Sequence, residues 1–212
     1  LPNIESNVMT GDISVDGKSP DAYRKFGKLA FMFQEPTLMP NLTVRDNIGF
    51  PLKIKGIRDD SKVNELLRIV GLSEFADYLP KQLSGGMKTR VALARGFVTR
   101  PELLFLDEPF AALDIAWKSR LYVELENLVE RYGTTVVFVT HDVQEALLLS
   151  DNVTVFGKTG YVKEQFQIRT LRSISDRVRD ISGFMSEVYA DYMLPIQDAI
   201  MNNQYDGEAN QG

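Results

Sequence analysis

The chain has 212 residues, a net charge of −5 and no cysteine, with an apolar fraction of 44% and a charged fraction of 25%. This composition predicts a soluble globular domain with room for an appendage, and it excludes disulfide bonds and thiolate metal sites. The acidic balance gives no basic surface for nucleic acid, and no apolar run approaches membrane-spanning length.

The first part of the chain predicts two short strands. Residues 13–15 alternate in polarity and run into Asp16-Gly17, a pair typical of tight turns, so they predict a half-buried strand. Residues 28–33 predict a longer strand that ends at Gln34, because the Glu35-Pro36 step that follows disfavours helix.

The stretch from residue 36 to residue 100 predicts mostly helix. Its apolar residues recur at helical spacing between capping residues and glycine or proline stops. The predicted helices cover residues 44–52 with a capping box at Thr43 and Asp46, 62–70 with Ser61 as the cap and Gly71 as the stop, 73–78, and a segment that follows Gly86 and reaches about Thr99.

A buried strand carrying two acids follows this helical stretch. Residues 103–106 are bulky and apolar, Asp107 and Glu108 come next, and Pro109 ends the strand. Both carboxylates therefore fall at the carboxyl edge of a buried strand, where open α/β sheets bind ligands. Asp107 can hold Mg²⁺, and Glu108 can orient or deprotonate an attacking water. The alternative is a strand end with two solvated acids.

Strands and helices continue to alternate beyond this point. Asp114 caps a long amphipathic helix that Gly133 closes, and residues 134–140 predict a second buried strand that delivers His141, the only histidine. Asp142 and Glu145 form a capping-box pattern for a helix over residues 143–150, and residues 153–156 and 161–168 predict a hairpin around residues 157–160. This alternation predicts an α/β core with a mainly parallel sheet.

The C-terminal part predicts one long helix from Thr170, bent at Gly183 and stopped by Pro195. We expect it to pack on its own domain rather than to form a coiled coil, and we expect the polar residues 202–212 to be disordered. Its apolar seam consists of Leu171, Ile174, Val178, Ile181, Met185, Val188 and Tyr192.

A glycine-rich loop lies about twenty residues before the acidic strand. It reads Leu83-Ser84-Gly85-Gly86-Met87 and leads into a helix. Free backbone amides and the helix dipole favour an anion such as phosphate there, although the loop could simply be a capped helix start. The loop, the strand over residues 103–108 and residues 112–114 together resemble the signature motif, the Walker B strand and the D-loop of the ABC ATPase family.

The resemblance implies a role for each candidate residue. Ser84, Gly85 and Gly86 would bind the nucleotide held by a second copy, and Asp114 would act in the D-loop as well as capping its helix. His141 matches the switch histidine that contacts the γ-phosphate, and Gln34 matches the Q-loop glutamine that reaches Mg²⁺ and water. Without the resemblance, His141 and Gln34 would be ordinary polar residues.

The resemblance also implies a fold and a function. The fold would be a P-loop NTPase-like α/β domain over residues 1–168, with a helical subdomain at about 36–100 and a helical extension over 169–212. The function would be ATP hydrolysis in a membrane importer, with ATP and Mg²⁺ as cofactors. The expected partners are a second ATP-binding subunit, in a homodimer or pseudo-dimer, and a transmembrane permease, at the cytoplasmic face of the cell membrane. Met87 and residues 139–146 resemble the branch that imports nitrate, sulfonates, taurine and similar solutes.

The phosphate-binding loop of the pattern Gly-x-x-x-x-Gly-Lys-Ser/Thr does not occur in the sequence. Gly17-Lys18-Ser19 fails because residue 12 is Asp12, and residues 157–159 fail because residue 152 is Asn152. We therefore expect the domain to be incomplete at its N terminus. Two alternatives remain: a soluble ABC ATPase of DNA repair or translation, and a degenerate binding module that keeps the fold without hydrolysis.

Overall fold

The structure is a computed structural model that describes residues 12–25, 28–157, 160–170 and 172–205. The strands are β1 (Leu29–Met32), β2 (Leu103–Asp107), β3 (Thr135–Val139), β4 (Asn152–Phe156) and β5 (Val162–Gln167). The helices are α1 (Pro20–Lys25), α2 (Val44–Ile54), α3 (Asp60–Ile69), α4 (Gly85–Phe97), α5 (Ile115–Tyr132), α6 (Val143–Leu149), α7 (Ile174–Arg179), α8 (Ile181–Val188) and α9 (Leu194–Tyr205). Short 3₁₀ turns cover Ser73–Phe75 and Pro80–Gln82, and a π turn covers Tyr189–Met193.

The strand with the two acids lies at the centre of a parallel sheet. β2 pairs with β1 on one side and with β3 on the other, so that Met32 is opposite Leu106 and Asp107 is opposite Val139. Leu104 and Leu106 are fully buried, as the apolar run predicts. The antiparallel hairpin of β4 and β5 forms at the predicted place. The predicted α/β fold with a parallel sheet is confirmed.

The prediction that residues 134–140 form a buried strand is wrong for one face of β3. Val136 and Phe138 pack against the core, whereas Val137 and Val139 are 45% and 60% exposed. Phe31 of β1 lies on the same open face and is 48% exposed. A continuous apolar run is compatible with burial on one face or on two, and here the core covers only one face of β3.

The predicted strand over residues 13–15 is also wrong, although the turn after it is confirmed. Val15 makes an isolated bridge to Lys18 around Asp16 and Gly17, whose φ angles are 49° and 71°. Positive φ at both central residues is what a tight hairpin turn requires. In the described part of the chain no neighbouring strand pairs with this segment, so the ladder stops after one bridge.

Most predicted helices form, with one corrected cap. Thr43 caps α2 through the amide of Asp46, as predicted. Asp59, not Ser61, caps α3: its Oδ1 accepts the Lys62 amide at 3.0 Å and the Ser61 hydroxyl at 2.7 Å. A carboxylate is the stronger acceptor, so the serine becomes its donor. The helix predicted over residues 73–78 is only a 3₁₀ turn.

Over residues 172–205 the structure contains three helices and a π turn instead of one helix. Asp180 leaves the helical conformation and caps the start of α8, where its side chain accepts a hydrogen bond from the Gly183 amide at 3.0 Å. A Cβ at Gly183 would lie 2.1 Å from the Asp180 carboxylate. Pro195 does not end the helix. The π turn just before it widens the helix and so relieves the clash that proline causes in an α-helix.

These C-terminal helices pack on the domain that precedes them. Phe184, Val188 and Ile196 are at most 2% exposed and belong to the same core as the central strand. Residues 202–205 continue α9 rather than being disordered, while Leu171 and residues 206–212 lie outside the described residues. Across the described ranges, no helix combines the length and the apolar character needed to cross a bilayer.

Candidate functional site

The two predicted acids lie at the carboxyl end of β2. The strand ends at Asp107, and Glu108 adopts a φ of 48°, in the left-handed region that non-glycine residues seldom occupy. The Glu108 amide donates to the Val139 carbonyl at 3.0 Å, which fixes this turn against β3. Backbone strain of this kind often marks a functional site. The geometry therefore makes Glu108 a residue with a constrained position.

The structure brings His141 to Glu108. The imidazole Nδ1 lies 2.9 Å from Glu108 Oε1, and the side chains are 81% and 16% exposed respectively. The carboxylate can only accept, so this contact selects the form of His141 that carries a proton on Nδ1. The hydrogen bond and the charge of Glu108 raise the pKa of His141 above its ordinary value.

We expect the His141 titration to depend on Glu108. Glu108→Gln removes the charge, so the pKa of His141 should fall toward its ordinary value. Because the folded-state pKa is raised, the stabilisation from this pair is present below the unfolded pKa and is lost as the pH rises through the folded pKa. NMR titration of this single histidine measures the shift, with Glu102→Gln at the other end of β2 as the control. An unchanged pKa in Glu108→Gln would contradict the contact.

Gln34 lies on the same edge of the sheet. It follows β1 by two residues, and the last residue of β1 is opposite Leu106, so Gln34 comes level with the acidic pair. The side chain is exposed. Among the described residues no hydrogen bond joins Gln34 to either carboxylate or to His141. Its predicted roles in binding Mg²⁺ and in catalysis stay predictions.

The glycine-rich loop and residues 112–114 form a second group. Ser84 caps α4 by accepting the Met87 amide at 3.3 Å, and Asp114 caps α5 by accepting the Trp117 amide at 3.0 Å. A Cβ at Gly86 would lie 3.1 Å from the Ala112 carbonyl oxygen, so the two segments touch. A Cβ at Gly85 would meet no atom within 4 Å, so the space beside the backbone of this glycine is open.

The donor set fits Mg²⁺ bound together with phosphate. Among the described residues no group of three or more His, Cys, Asp and Glu forms a closed metal cage. Mg²⁺ commonly binds through one or two carboxylates and completes its shell with water and substrate phosphates. Asp107 supplies such a carboxylate, and the chemistry of the oxygen donors at this edge suits a hard cation.

Comparison with known proteins identifies the family. A family profile described as ABC transporter matches residues 4–111. The chain belongs to the ABC transporter family. It is 50% identical over 143 residues to an aliphatic sulfonates import ATP-binding protein, SsuB 1, of Pseudomonas savastanoi. It is 44% identical over 158 residues to the spermidine/putrescine import ATP-binding protein PotA of Thermotoga maritima. The predicted resemblance is thus confirmed.

The coverage of these comparisons is partial. The matched regions are 67% and 71% of this chain, but the chain spans only 60% and 42% of the two relatives. Among solved structures, the dimeric ATP-binding cassette MJ0796 bound to ADP and Pi matches with a TM-score of 0.69 and 31% identity. That match covers 77% of this chain and 75% of the cassette. The α/β core is therefore that of an ABC ATPase cassette.

Sequence reasoning missed a buried role for Glu145. Asp142 caps α6 as predicted, but the Glu145 carboxylate does not complete a capping box. It is 4% exposed and accepts hydrogen bonds from Lys118 Nζ at 2.7 Å, Tyr122 hydroxyl at 3.0 Å and Thr140 hydroxyl at 2.8 Å. The donors on α5 are 27 and 23 residues away along the chain, a pairing that helix periodicity does not reveal.

Sequence reasoning also missed an aromatic contact behind the glycine-rich loop. Trp117 of α5 lies under the guanidinium of Arg90 from α4, with 3.7 Å between the Arg90 Cζ and the ring centroid. The Arg90 Nη1 donates to the Val70 carbonyl at 2.7 Å. Gly71 leaves room for the ring, since a Cβ there would lie 2.2 Å from Trp117 Cη2. Trp117 therefore joins the start of α5 to α4 and to the end of α3.

Proposed function

We propose that the chain is the ATP-hydrolysing subunit of an ABC importer. The observation that carries this proposal is the contact of Glu108 with His141 beside Asp107, at the sheet edge where α/β folds bind ligands. A degenerate module would have no use for a constrained carboxylate paired with an imidazole. The family membership supports the same function.

Each residue at this edge has a chemical role in the proposal. Glu108 accepts a hydrogen bond from the attacking water and takes its proton, and the His141 imidazole donates to the γ-phosphate or to Glu108. Asp107 and Gln34 would hold Mg²⁺, which neutralises phosphate charge when bound. The contact between Glu108 after β2 and His141 after β3, at the strand end that carries Asp107, supports this assignment.

The second group would act on another copy of the chain. Gly85 offers open backbone at the N-terminal end of α4, where amides and the helix dipole favour an anion. Ser84 and Gly86 flank it, and Asp114 lies on the segment that Gly86 touches. The solved cassette MJ0796 bound to ADP and Pi is dimeric, which supports a site shared between two copies.

The membrane partner and the solute belong to the same proposal. The two relatives are named for import of aliphatic sulfonates and of spermidine or putrescine, which are small solutes of opposite charge. We propose that this chain works at the cytoplasmic face of the membrane with a transmembrane permease. The nitrate, sulfonate and taurine type of solute is favoured by the Met87 resemblance and by the higher identity to the sulfonate protein.

A complementation experiment tests the shared site. The experiment uses an extended chain, in which a strand and a phosphate-binding loop precede the 212 residues. Gly85→Glu should abolish its MgATP hydrolysis, because the open backbone accommodates the side chain while the new charge repels phosphate. Glu108→Gln should also abolish hydrolysis. A mixture of the two variants should regain it, because each variant supplies the group that the other lacks.

Phosphate release is measured for each variant and for the mixture at equal total protein. The unextended 212-residue chain is the control and should not hydrolyse MgATP, since its sequence has no phosphate-binding loop. A mixture as inactive as its components would contradict the shared site. Hydrolysis that persists in Gly85→Glu would contradict the role of the glycine-rich loop.

A further inference from the structure

Three buried charged side chains connect α5, α6 and α7 in pairs. Glu126, Glu145 and Arg177 are between 4% and 9% exposed, and each of them bridges two of these helices. Burying a charge is costly unless partners satisfy it, so each bridge fixes its two helices in one arrangement. The three bridges form a closed triangle, which we name the helix lock: Glu145 joins α5 to α6, Glu126 joins α5 to α7, and Arg177 joins α7 to α6.

The Glu145 bridge holds the start of α6. Its carboxylate accepts hydrogen bonds from Lys118 and Tyr122 of α5 and from the hydroxyl of Thr140. The Thr140 hydroxyl in turn accepts the Asp142 amide at 3.0 Å. His141 lies between these two residues. The backbone on both sides of the imidazole is therefore tied to α5 through a buried carboxylate.

The other two bridges hold the C-terminal extension against the same helices. Glu126 of α5 accepts the amides of Ile174 and Ser175 at 2.6 and 2.8 Å, at the start of α7. Arg177 of α7 donates to the carbonyls of Leu147 and Leu148 at 3.3 and 3.2 Å, near the end of α6. These carbonyls belong to the last turn of α6, and carbonyls in the last turn of a helix have no hydrogen-bond partner within that helix.

We infer that the C-terminal extension positions the catalytic histidine, with Arg177, Glu126 and Glu145 as positioning residues. α6 has only seven residues, and the lock holds both of its ends. The His141 side chain is largely exposed, and among the described residues its one hydrogen-bond partner is Glu108, so its orientation follows from where α6 is held. The catalytic consequence rests on the proposed function, whereas the positioning of the imidazole does not.

The single histidine makes the inference measurable without nucleotide. NMR of the His141 ring nitrogens in the 212-residue chain reports the proton on Nδ1, and Glu108→Ala gives the signals of an imidazole without its partner. Arg177→Met keeps the side-chain length and removes the donors. We expect it to move the His141 signals from the wild-type position toward that of Glu108→Ala. Arg177→Lys, which keeps a donor, should move them less.

Arg179→Met is the matched control. Arg179 lies two residues further along α7 and is 78% exposed. Within the part of the chain that the structure describes it pairs only with Asp176 in the same turn, so its replacement should leave the signals unchanged. Wild-type signals in folded Arg177→Met would overturn the inference. If Arg177→Met does not fold, the same measurement is made on Arg177→Lys and Glu126→Gln. Wild-type signals in both of these variants would overturn the inference. Shifted signals together with an inactive wild-type extended chain would support the positioning and reject the proposed hydrolysis.

Discussion

Replacing Glu108 with Gln is expected to lower the rate of MgATP hydrolysis by the extended chain by roughly 10²- to 10⁴-fold, the usual contribution of a general base. The amide keeps the shape of the side chain but cannot accept the proton of the attacking water. Glu108 is well placed for this role, since its backbone is held to Val139 and its carboxylate is paired with His141. ATP affinity should be retained, because Asp107 and the phosphate-binding loop are unchanged.

Single-turnover phosphate release and calorimetric ATP binding separate these two effects. Glu102→Gln is the matched control: it makes the same chemical change at the opposite end of β2, where Glu102 pairs with Lys28. Its hydrolysis rate should equal that of wild type. A Glu108→Gln rate within a few-fold of wild type would remove Glu108 from the role of base, and a large loss in Glu102→Gln would show that the change acts through the strand itself.

The edge of the sheet was predictable because its signals are local. Asp107 and Glu108 directly follow an apolar run, and His141 lies two residues after the end of the next strand. Parallel strands end on the same edge, so their last residues must be neighbours once the sheet forms. The caps at Thr43, Asp114 and Asp142 were predictable for the same reason, since a cap bonds to an amide two or three residues away.

The supporting contacts were not predictable because they join residues far apart in the chain. Glu145 fits a capping box by spacing, yet its carboxylate bonds to α5 instead. Arg177 has the spacing of a solvated helix residue but lies buried against the end of α6. Pro195 is a helix stop by local rules, and only the π turn before it allows the helix to continue. Sequence periodicity shows which face of a helix is apolar, but it does not show which distant polar group a buried charge will find.

Replacing Trp117 with Ala is expected to lower the free energy of unfolding by about 3 kcal/mol, near the lower end of the range for large aromatic residues because the ring is only partly buried. The change removes the ring that packs against Gly71 and under Arg90. It also leaves the guanidinium of Arg90, which is 7% exposed as a residue, without its aromatic partner. Trp117→Phe should lose less, because a smaller aromatic face remains.

Urea unfolding followed by far-UV circular dichroism measures this change, since the variant removes the only tryptophan and with it the fluorescence signal. Ile115→Ala is the control on the same helix. Ile115 is 83% exposed, so its replacement should change stability by no more than about 0.5 kcal/mol. A double-mutant cycle with Arg90→Met isolates the contact between the ring and the guanidinium. If Trp117→Ala and Ile115→Ala unfold at the same urea concentration, the ring does not join α5 to α4. A clear difference between them, together with a non-zero coupling to Arg90, would mean that the ring stabilises the packing of α5 against α4.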